Sequence, residues 1–255
     1  MPERESSARE DVSRAYRERI YGSYNSARHE AWAPETLAQL EARSPYFHRL
    51  IARHFPASRD ARILDLGCGY GALVFFARRA GYARCIGVDG SAEQVAAATR
   101  LGIAGVELGD VMATLDRLES ASQDVVLALD LIEHFRRDEL LMLVDEVFRV
   151  LAPGGRWIIH TVNGESPLFG RIRYGDLTHE EAFTRTSIGQ LLLSSGFTRV
   201  DCFEDTPIVH GAMSAARFVL WKVMRGLLRL YLAAETGISD RTPIFTQNFL
   251  TVAMR

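Results

Sequence analysis

One short stretch near residue 65 has the residue types and spacing of a binding site for a nucleotide-sized ligand. An apolar run encloses Asp65 and leads into a turn with a glycine at every second position. Gly67, Gly69 and Gly71 lack a Cβ atom, so this turn can adopt positive φ and lie directly against a ligand. Asp65 favours a ligand with a cationic group and disfavours a diphosphate, because two anions in one crevice repel each other.

A glycine-rich turn also occurs in dinucleotide-binding folds, where the spacing is Gly-x-Gly-x-x-Gly. The spacing from Gly67 to Gly71 is different, which favours a cationic amino-acid cofactor over a dinucleotide. A nucleotide-linked oxidoreductase remains the alternative.

Two further acidic residues lie where predicted strands end. The sequence predicts a strand at Cys85–Asp89, which ends about twenty residues after the glycines. A carboxylate at that point can accept hydrogen bonds from both hydroxyl groups of a ribose. Asp124–Asp130 is nearly continuous apolar sequence between two acids, which predicts a central strand buried on both faces of a parallel sheet. Ligands of open α/β sheets bind at the carboxyl ends of the strands, so we expect the chemistry next to Asp130.

From about residue 62 to 203 these motifs, in this order and with Leu-Ala-Pro-Gly-Gly at 151–155, resemble the class I S-adenosylmethionine-dependent methyltransferases. The resemblance implies an α/β fold with a doubly wound, mostly parallel seven-stranded sheet. It also implies S-adenosylmethionine as cofactor and S-adenosylhomocysteine as product. The implied cofactor-binding residues are Asp65, Gly67, Cys68, Gly69, Gly71, Asp89, Gly90, Asp110, Val111 and Asp130.

Two of these residues have more specific expected roles. By the resemblance, Asp89 binds the ribose and Asp110 holds the adenine amino group. Turn chemistry offers an alternative for Asp110, in which it caps the next helical turn.

Three of the seven histidines are candidates for a general base. A hydroxyl acceptor with a high pKa benefits from a base, and histidine is the side chain best matched to neutral pH. His134 follows the fourth predicted strand and His179 lies beside Asp176 and Glu180, which could orient it. We predict that His134 or His179 is the base; His160 ranks third, because it alternates within an apolar strand.

A metal-assisted reaction is an alternative. Asp130, Glu133 and His134 are spaced i, i+3 and i+4 and could share a helical face. Such ligands suit Mg²⁺ or Mn²⁺, and a similar pattern binds metal in some methyltransferases that this sequence resembles. Because Asp130 also matches a cofactor-binding position, we favour chemistry without a metal.

The acceptor is expected to be a small molecule methylated on oxygen. The segment 163–185 resembles inserts in enzymes of bacterial polysaccharide and secondary-metabolite pathways, which implies a sugar or a secondary metabolite. Arg171, Arg173 and Lys222 could bind an anionic group such as phosphate or a nucleotide diphosphate, or form an ordinary solvated surface. N- or C-methylation and a non-catalytic binding subunit remain alternatives.

A second segment outside the basic fold predicts a helix over about residues 212–234 with one wide apolar face. Arg217, Lys222, Arg225 and Arg229 gather on the other side. The apolar face could pack on the protein as a substrate lid, on a second subunit as a homodimer, or on anionic lipid. These basic residues argue against a transmembrane span.

Composition limits the remaining possibilities. Lysine and arginine number 30 against 32 acidic residues, and 47% of the residues are hydrophobic. Near-neutral charge argues against nucleic acid as a partner. Three dispersed cysteines, Cys68, Cys85 and Cys202, and a charged amino-terminal stretch without secretory signal features predict a cytoplasmic protein.

The predicted organisation has four parts. Residues 1–58 form a helical cap over the cofactor, with Tyr16, Tyr24 and Arg28 as candidate contacts for its carboxylate or the substrate. Residues 59–204 form the cofactor-binding core with the insert 163–185. Residues 205–243 form a helical insert, and 244–255 the last, antiparallel strand.

Overall fold

A seven-stranded mixed sheet forms the centre of the protein. The structure is a computed structural model that describes residues 19–20, 33–237 and 243–255. The strand order is β3-β2-β1-β4-β5-β7-β6, and β7 is antiparallel to both its neighbours. The strands are β1 Ile63–Leu66, β2 Cys85–Asp89, β3 Val106–Leu108, β4 Gln123–Leu129, β5 Leu151–Val162, β6 Arg199–Glu204 and β7 Asn248–Met254. The predicted fold class is confirmed.

Helices cover both faces of this sheet. In the described residues they are α1 Leu37–Glu41, α2 Ser44–His54, α3 Ala72–Arg79, α4 Ala92–Arg100, α5 Val111–Asp116, a 3₁₀ turn Ile132–His134, α6 Arg137–Val150, α7 Phe169–Arg173, α8 Arg185–Ser194 and α9 Ala212–Thr236. One core lies between the sheet and α2 and α3, where the rings of Phe47 and Phe76 stack at 5.2 Å. The other lies under α6 and α8, where Trp157 is fully buried.

The strands that carry the site are buried on both faces because helices cover both faces. Every residue of β1 is buried, and Val125 to Ala128 in β4 are fully buried. The nearly uninterrupted apolar sequence of β4 therefore predicted its central place correctly.

Strand β5 begins earlier than expected. Pro153, Gly154 and Gly155 would by their residue types end the preceding helix and place the strand start at Arg156, but pairing with β4 already begins at Leu151. The register shifts over this stretch. A Cβ on Gly155 would lie 2.8 Å from the carbonyl oxygen of Ala152, so glycine allows the chain to bulge within the strand.

The helices before β1 agree with the prediction where they are described. Pro45 lies in the first turn of α2, where proline is accommodated without losing a helical hydrogen bond. It therefore marks the start of α2 after the end of α1. Thr36 caps α1 by accepting a hydrogen bond from the amide of Gln39. Tyr16, Tyr24 and Arg28 lie outside the described residues.

Candidate functional site at the carboxyl edge of the sheet

The glycine turn between β1 and α3 has the backbone conformation that its sequence predicts. Gly67, Gly69 and Gly71 all have positive φ, at 66°, 56° and 77°. A Cβ on Gly67 would lie 2.8 Å from Cδ1 of Leu131, and one on Gly71 would overlap Cγ2 of Val106. The turn is therefore held close against its neighbours, and its main chain lies at the edge where ligands of this fold bind.

Asp89 links the end of β2 to this turn. Its carboxylate accepts hydrogen bonds from the amides of Gly69, at 2.7 Å, and Ser91, at 2.8 Å. Burial raises the pKa of Asp89, and these two amides act against the rise. Each oxygen has a lone pair left, which fits the predicted contact with ribose hydroxyls. Ser91 precedes α4, and its hydroxyl makes no capping bond to that helix.

Asp65 is a buried acid in β1, two residues before the first glycine of the turn. The residue is 2% exposed, and its Oδ1 has no hydrogen-bond partner among the described residues. Burial, and then the charge of Asp89, raise the pKa of Asp65 to about 8. An unpartnered buried acid beside a tightly packed glycine turn fits a ligand that brings its own cationic group, as the amino-acid part of S-adenosylmethionine does.

The other predicted cofactor residues lie along the same edge. Asp110 caps α5, with its Oδ1 accepting from the amide of Ala113 at 2.8 Å. This is the alternative role considered for Asp110, and its contact with adenine stays a prediction. Val111 is the first residue of α5, Cys68 is half-buried in the turn, and Gly90 is exposed after β2.

Asp130 follows β4 and has a left-handed backbone, with φ of 53°. Its Oδ1 lies 2.7 Å from Nδ1 of His160, and the other ring nitrogen of His160 lies 3.5 Å from Asp205. Burial acts to lower the pKa of His160, but the carboxylates on either side raise it well above its ordinary value. His160 is therefore an imidazolium that holds two loops together, so we assign it a positioning role instead of a base.

Glu133 anchors the segment that follows β4. Its Oε2 accepts from the hydroxyl of Thr161 at 2.8 Å, and its backbone carbonyl accepts from the amides of Glu180 and Glu181 at 2.7 and 3.1 Å. Burial, and then Asp130, raise the pKa of Glu133 to about 8. These bonds fasten the insert 163–185 to the edge of the sheet.

The insert brings His179 against His134, with ring centroids 4.8 Å apart. The hydroxyl of Thr178 donates a hydrogen bond to the carboxylate of Asp176 at 2.6 Å. Because its only proton is used there, the same hydroxyl accepts a hydrogen bond from Nδ1 of His134 at 2.9 Å. This network assigns the proton of His134 to Nδ1 and its lone pair to Nε2. Burial, and then His179, lower the pKa of His134 to about 4, so its ring is neutral at pH 7.

His179 is oriented by backbone and not by the acids we expected. Its Nδ1 lies 3.0 Å from the carbonyl oxygen of Ile172, while Asp176 bonds to Thr178. Burial lowers the pKa of His179, with Asp176 acting against it. Because Nδ1 donates to a carbonyl, Nε2 carries the lone pair that can accept a proton.

The expected metal-binding pattern is arranged differently. Asp130 is not on a helix with Glu133 and His134, because only residues 132–134 form a 3₁₀ turn, so the shared helical face was wrong. Instead, Glu133, His134 and His179 place one ligand atom each within 4.8 Å of one another. We name these three residues the Glu–His–His cluster.

The candidate anion-binding residues do not form one group of contacts. Arg173 donates to the carbonyl of Glu180 at 2.6 Å, and Arg171 is exposed on the same short helix. Lys222 lies on α9, over the rings of Phe218 and Trp221. An anionic handle on the substrate stays a prediction.

Comparison with known proteins agrees with this geometry. Residues 63–155, which hold the glycine turn, Asp89 and the Glu133–His134 segment, match a family model described as a methyltransferase domain. This part of the chain is similar to a methyltransferase domain. A solved S-adenosylmethionine-dependent methyltransferase from Archaeoglobus fulgidus has the same fold, with a TM-score of 0.61, 20% identity and coverage of 84% of this chain and 94% of that one. S-adenosylmethionine is the cofactor that this likeness supports.

Curated relatives extend the likeness to named enzymes. A ubiquinone biosynthesis O-methyltransferase of Xylella fastidiosa is 28% identical over 163 residues, which are 62% of this chain and 65% of that protein. A probable S-adenosylmethionine-dependent methyltransferase of Mycolicibacterium smegmatis is 33% identical over 163 residues, 62% of this chain and 58% of that protein. The chain thus covers less than two thirds of the length of either relative.

Proposed function

We propose that this protein transfers the methyl group of S-adenosylmethionine to a hydroxyl oxygen of a small molecule. The observation that carries the proposal is the neutral pair His134 and His179, whose Nε2 atoms carry lone pairs next to the strand end that bears Asp130. A sulfonium methyl is already electrophilic, so the protein has mainly to orient the hydroxyl and take its proton.

The two histidines differ in their fitness for that role. A pKa of about 4 makes His134 a weak proton acceptor near neutral pH, and its Nδ1 is committed to Thr178. His179 is less buried and is oriented by the carbonyl of Ile172. We therefore propose that His179 is the general base. We propose that His134 orients the ring of His179 and the acceptor.

The remaining residues of the site hold the cofactor. Asp89 is proposed to bind the ribose hydroxyls and Asp65 the ammonium group, while Gly67, Gly69 and Gly71 give the main chain its close approach. Asp130 is kept ionised by the imidazolium of His160 beside it.

Two acceptor classes are distinguishable by experiment. A hydroxyl of a sugar or secondary metabolite is our first expectation from the sequence. The relatives' names favour a hydroxylated ring on an apolar molecule, and the insert exposes Leu168, Tyr174 and Leu177 by 56%, 75% and 75%. These apolar side chains support the second class, because they could contact a hydrocarbon tail.

A ligand-binding experiment tests the cofactor half of the proposal. S-adenosylhomocysteine at a hundred times its Kd should increase the free energy of unfolding by about 2.7 kcal/mol, and so raise the melting temperature. NAD should leave the melting temperature unchanged. Stabilisation by NAD alone would favour the oxidoreductase alternative.

Methyl transfer from labelled cofactor to a panel of phenols, sugars and nucleotide sugars tests the reaction. His179→Ala should abolish transfer and leave S-adenosylhomocysteine affinity unchanged, while His210→Ala, at an exposed position, should leave both unchanged. Transfer to an amine or carbon in preference to every hydroxyl tested would overturn O-methylation. Cofactor binding without transfer to any acceptor would favour a non-catalytic binding subunit.

A further inference from the structure

Helix α9 exposes a continuous apolar face. Eight large apolar side chains that are each at least half exposed recur along it at spacings of one to six residues, and we name them the apolar stripe. They are Met213, Val219, Leu220, Val223, Met224, Leu227, Leu230 and Tyr231. A face of this size on a soluble surface marks a site of contact with another molecule.

The stripe cannot be the face that packs on the protein, because α9 is fixed with its other side inward. Nε of Arg225 lies 2.6 Å from Oε2 of Glu204, and the second oxygen of Glu204 accepts from the amide of Phe245 at 3.0 Å. The side chains of this ion pair are 19% and 12% exposed. At 100° per residue, the stripe lies on the side of the helix opposite Arg225.

This orientation removes one of the three occupants expected from the sequence. A substrate lid would bury the apolar face against the body of the protein, whereas the stripe points to solvent. Two occupants remain, a second copy of this chain and a lipid surface.

Charge separates these two. Helix α9 contains four basic residues and one acidic residue, Glu235. At 100° per residue Arg217 borders the stripe, and Lys222 and Arg229 lie between the stripe and Arg225. A second α9 would bring four further cations and only one carboxylate, Glu235, so two such helices would carry a large excess of like charge. Anionic headgroups complement the cations, and the acyl region accommodates the stripe.

The length of the helix is compatible with binding in the plane of the surface. At about 1.5 Å per residue the stripe extends for roughly 27 Å along α9. None of the helices within the described residues is both long and apolar enough to cross a membrane.

We propose that α9 binds the surface of membranes that contain anionic lipid, with the apolar stripe inserted at the headgroup boundary. The Arg225–Glu204 ion pair fixes this contact at the carboxyl end of β6. Asp205, the next residue, contacts His160, so the membrane contact lies at the same sheet edge as Asp130. The proposal does not depend on the proposed methyl transfer.

Vesicle co-sedimentation of the full chain tests the contact. Phosphatidylcholine vesicles containing phosphatidylglycerol should bind the protein, and the double variant Leu220→Glu/Leu227→Glu should bind at least about tenfold more weakly. The matched control is Leu141→Glu/Leu193→Glu, which places the same charges at leucines of similar exposure on α6 and α8 and should bind as the parent does.

A second variant tests the charge. Lys222→Gln/Arg229→Gln should weaken binding to the phosphatidylglycerol vesicles several-fold and should fold normally, because both changes are polar replacements at the helix surface.

Three results would overturn the proposal. These are no sedimentation of the folded parent with anionic vesicles, equal binding to pure phosphatidylcholine, and a dimer in light scattering that Leu220→Glu/Leu227→Glu converts to monomer. The shift in melting temperature caused by S-adenosylhomocysteine, measured on the same samples, reports binding at the cofactor site independently of membrane binding.

Discussion

We predict that the buried carboxyl of Asp65 makes cofactor binding depend on pH. In the cofactor-free protein its pKa is raised to about 8, so it is mostly protonated at neutral pH. A bound ammonium group favours the ionised form and lowers that pKa. Between the pKa of Asp65 in the complex and its pKa of about 8 in the free protein, binding should therefore release a proton. The affinity for the cofactor should fall as the pH falls through this range.

The size of the effect follows from the shift. Each pH unit below about 8 should weaken binding of S-adenosylhomocysteine about tenfold, which is about 1.4 kcal/mol. Over two units the weakening approaches about 50-fold, since the carboxyl is already half ionised at its own pKa. Near pH 6.5 the complex should release about one proton per molecule bound.

Titration calorimetry in two buffers of different ionisation enthalpy measures both quantities. Asp65→Asn should bind more weakly at high pH and lose this proton release, and Asp60→Asn, at an exposed position, should behave as the parent does. The ligand's own amino group titrates near pH 8 with every variant, so the difference between the parent and the Asp65→Asn protein isolates the carboxyl. Equal affinity from pH 6 to pH 8 without proton release would refute the assignment of Asp65.

Three further predictions concern the turn, the ribose site and the metal question. Gly154 has a positive φ and open space around it, so Gly154→Ala should lower the free energy of unfolding by about 1 kcal/mol. Gly71→Ala should lower it by about 1 to 3 kcal/mol more, because the added methyl group would overlap Val106. Equal urea midpoints for the two variants would contradict this packing argument. Asp89→Asn should weaken S-adenosylhomocysteine binding about 10- to 100-fold by calorimetry, with the exposed Glu107→Gln as control, and unchanged affinity would remove the ribose assignment. Turnover should persist in excess chelator, and a loss restored by Mg²⁺ or Mn²⁺ would instead assign a metal to the Glu–His–His cluster.

The features that the sequence predicts well are those fixed by local pattern. Strand β2 has the expected bounds, Cys85–Asp89, because a short apolar run between turn residues leaves few alternatives. The glycine turn and Asp89 are joined as expected, since the carboxyl ends of neighbouring parallel strands meet at one edge.

The features that it misses depend on contacts between distant segments. The ion pair of His160 with Asp130 joins residues 30 positions apart, and His134 meets Thr178 across 44 positions. Alternation of His160 within an apolar strand indicates burial but not its partner. The direction of α9 is likewise set by Glu204, which no helical wheel includes.

The attachment of the insert through Glu133 has an evolutionary consequence. Glu180 and Glu181 reach that carbonyl through their main-chain amides, which every amino acid except proline supplies. Side chains in this segment can therefore be exchanged over generations while the adjacent His179 keeps its place. If His179 is the base, as we propose, a lineage could acquire new acceptors through such exchanges without rebuilding the base.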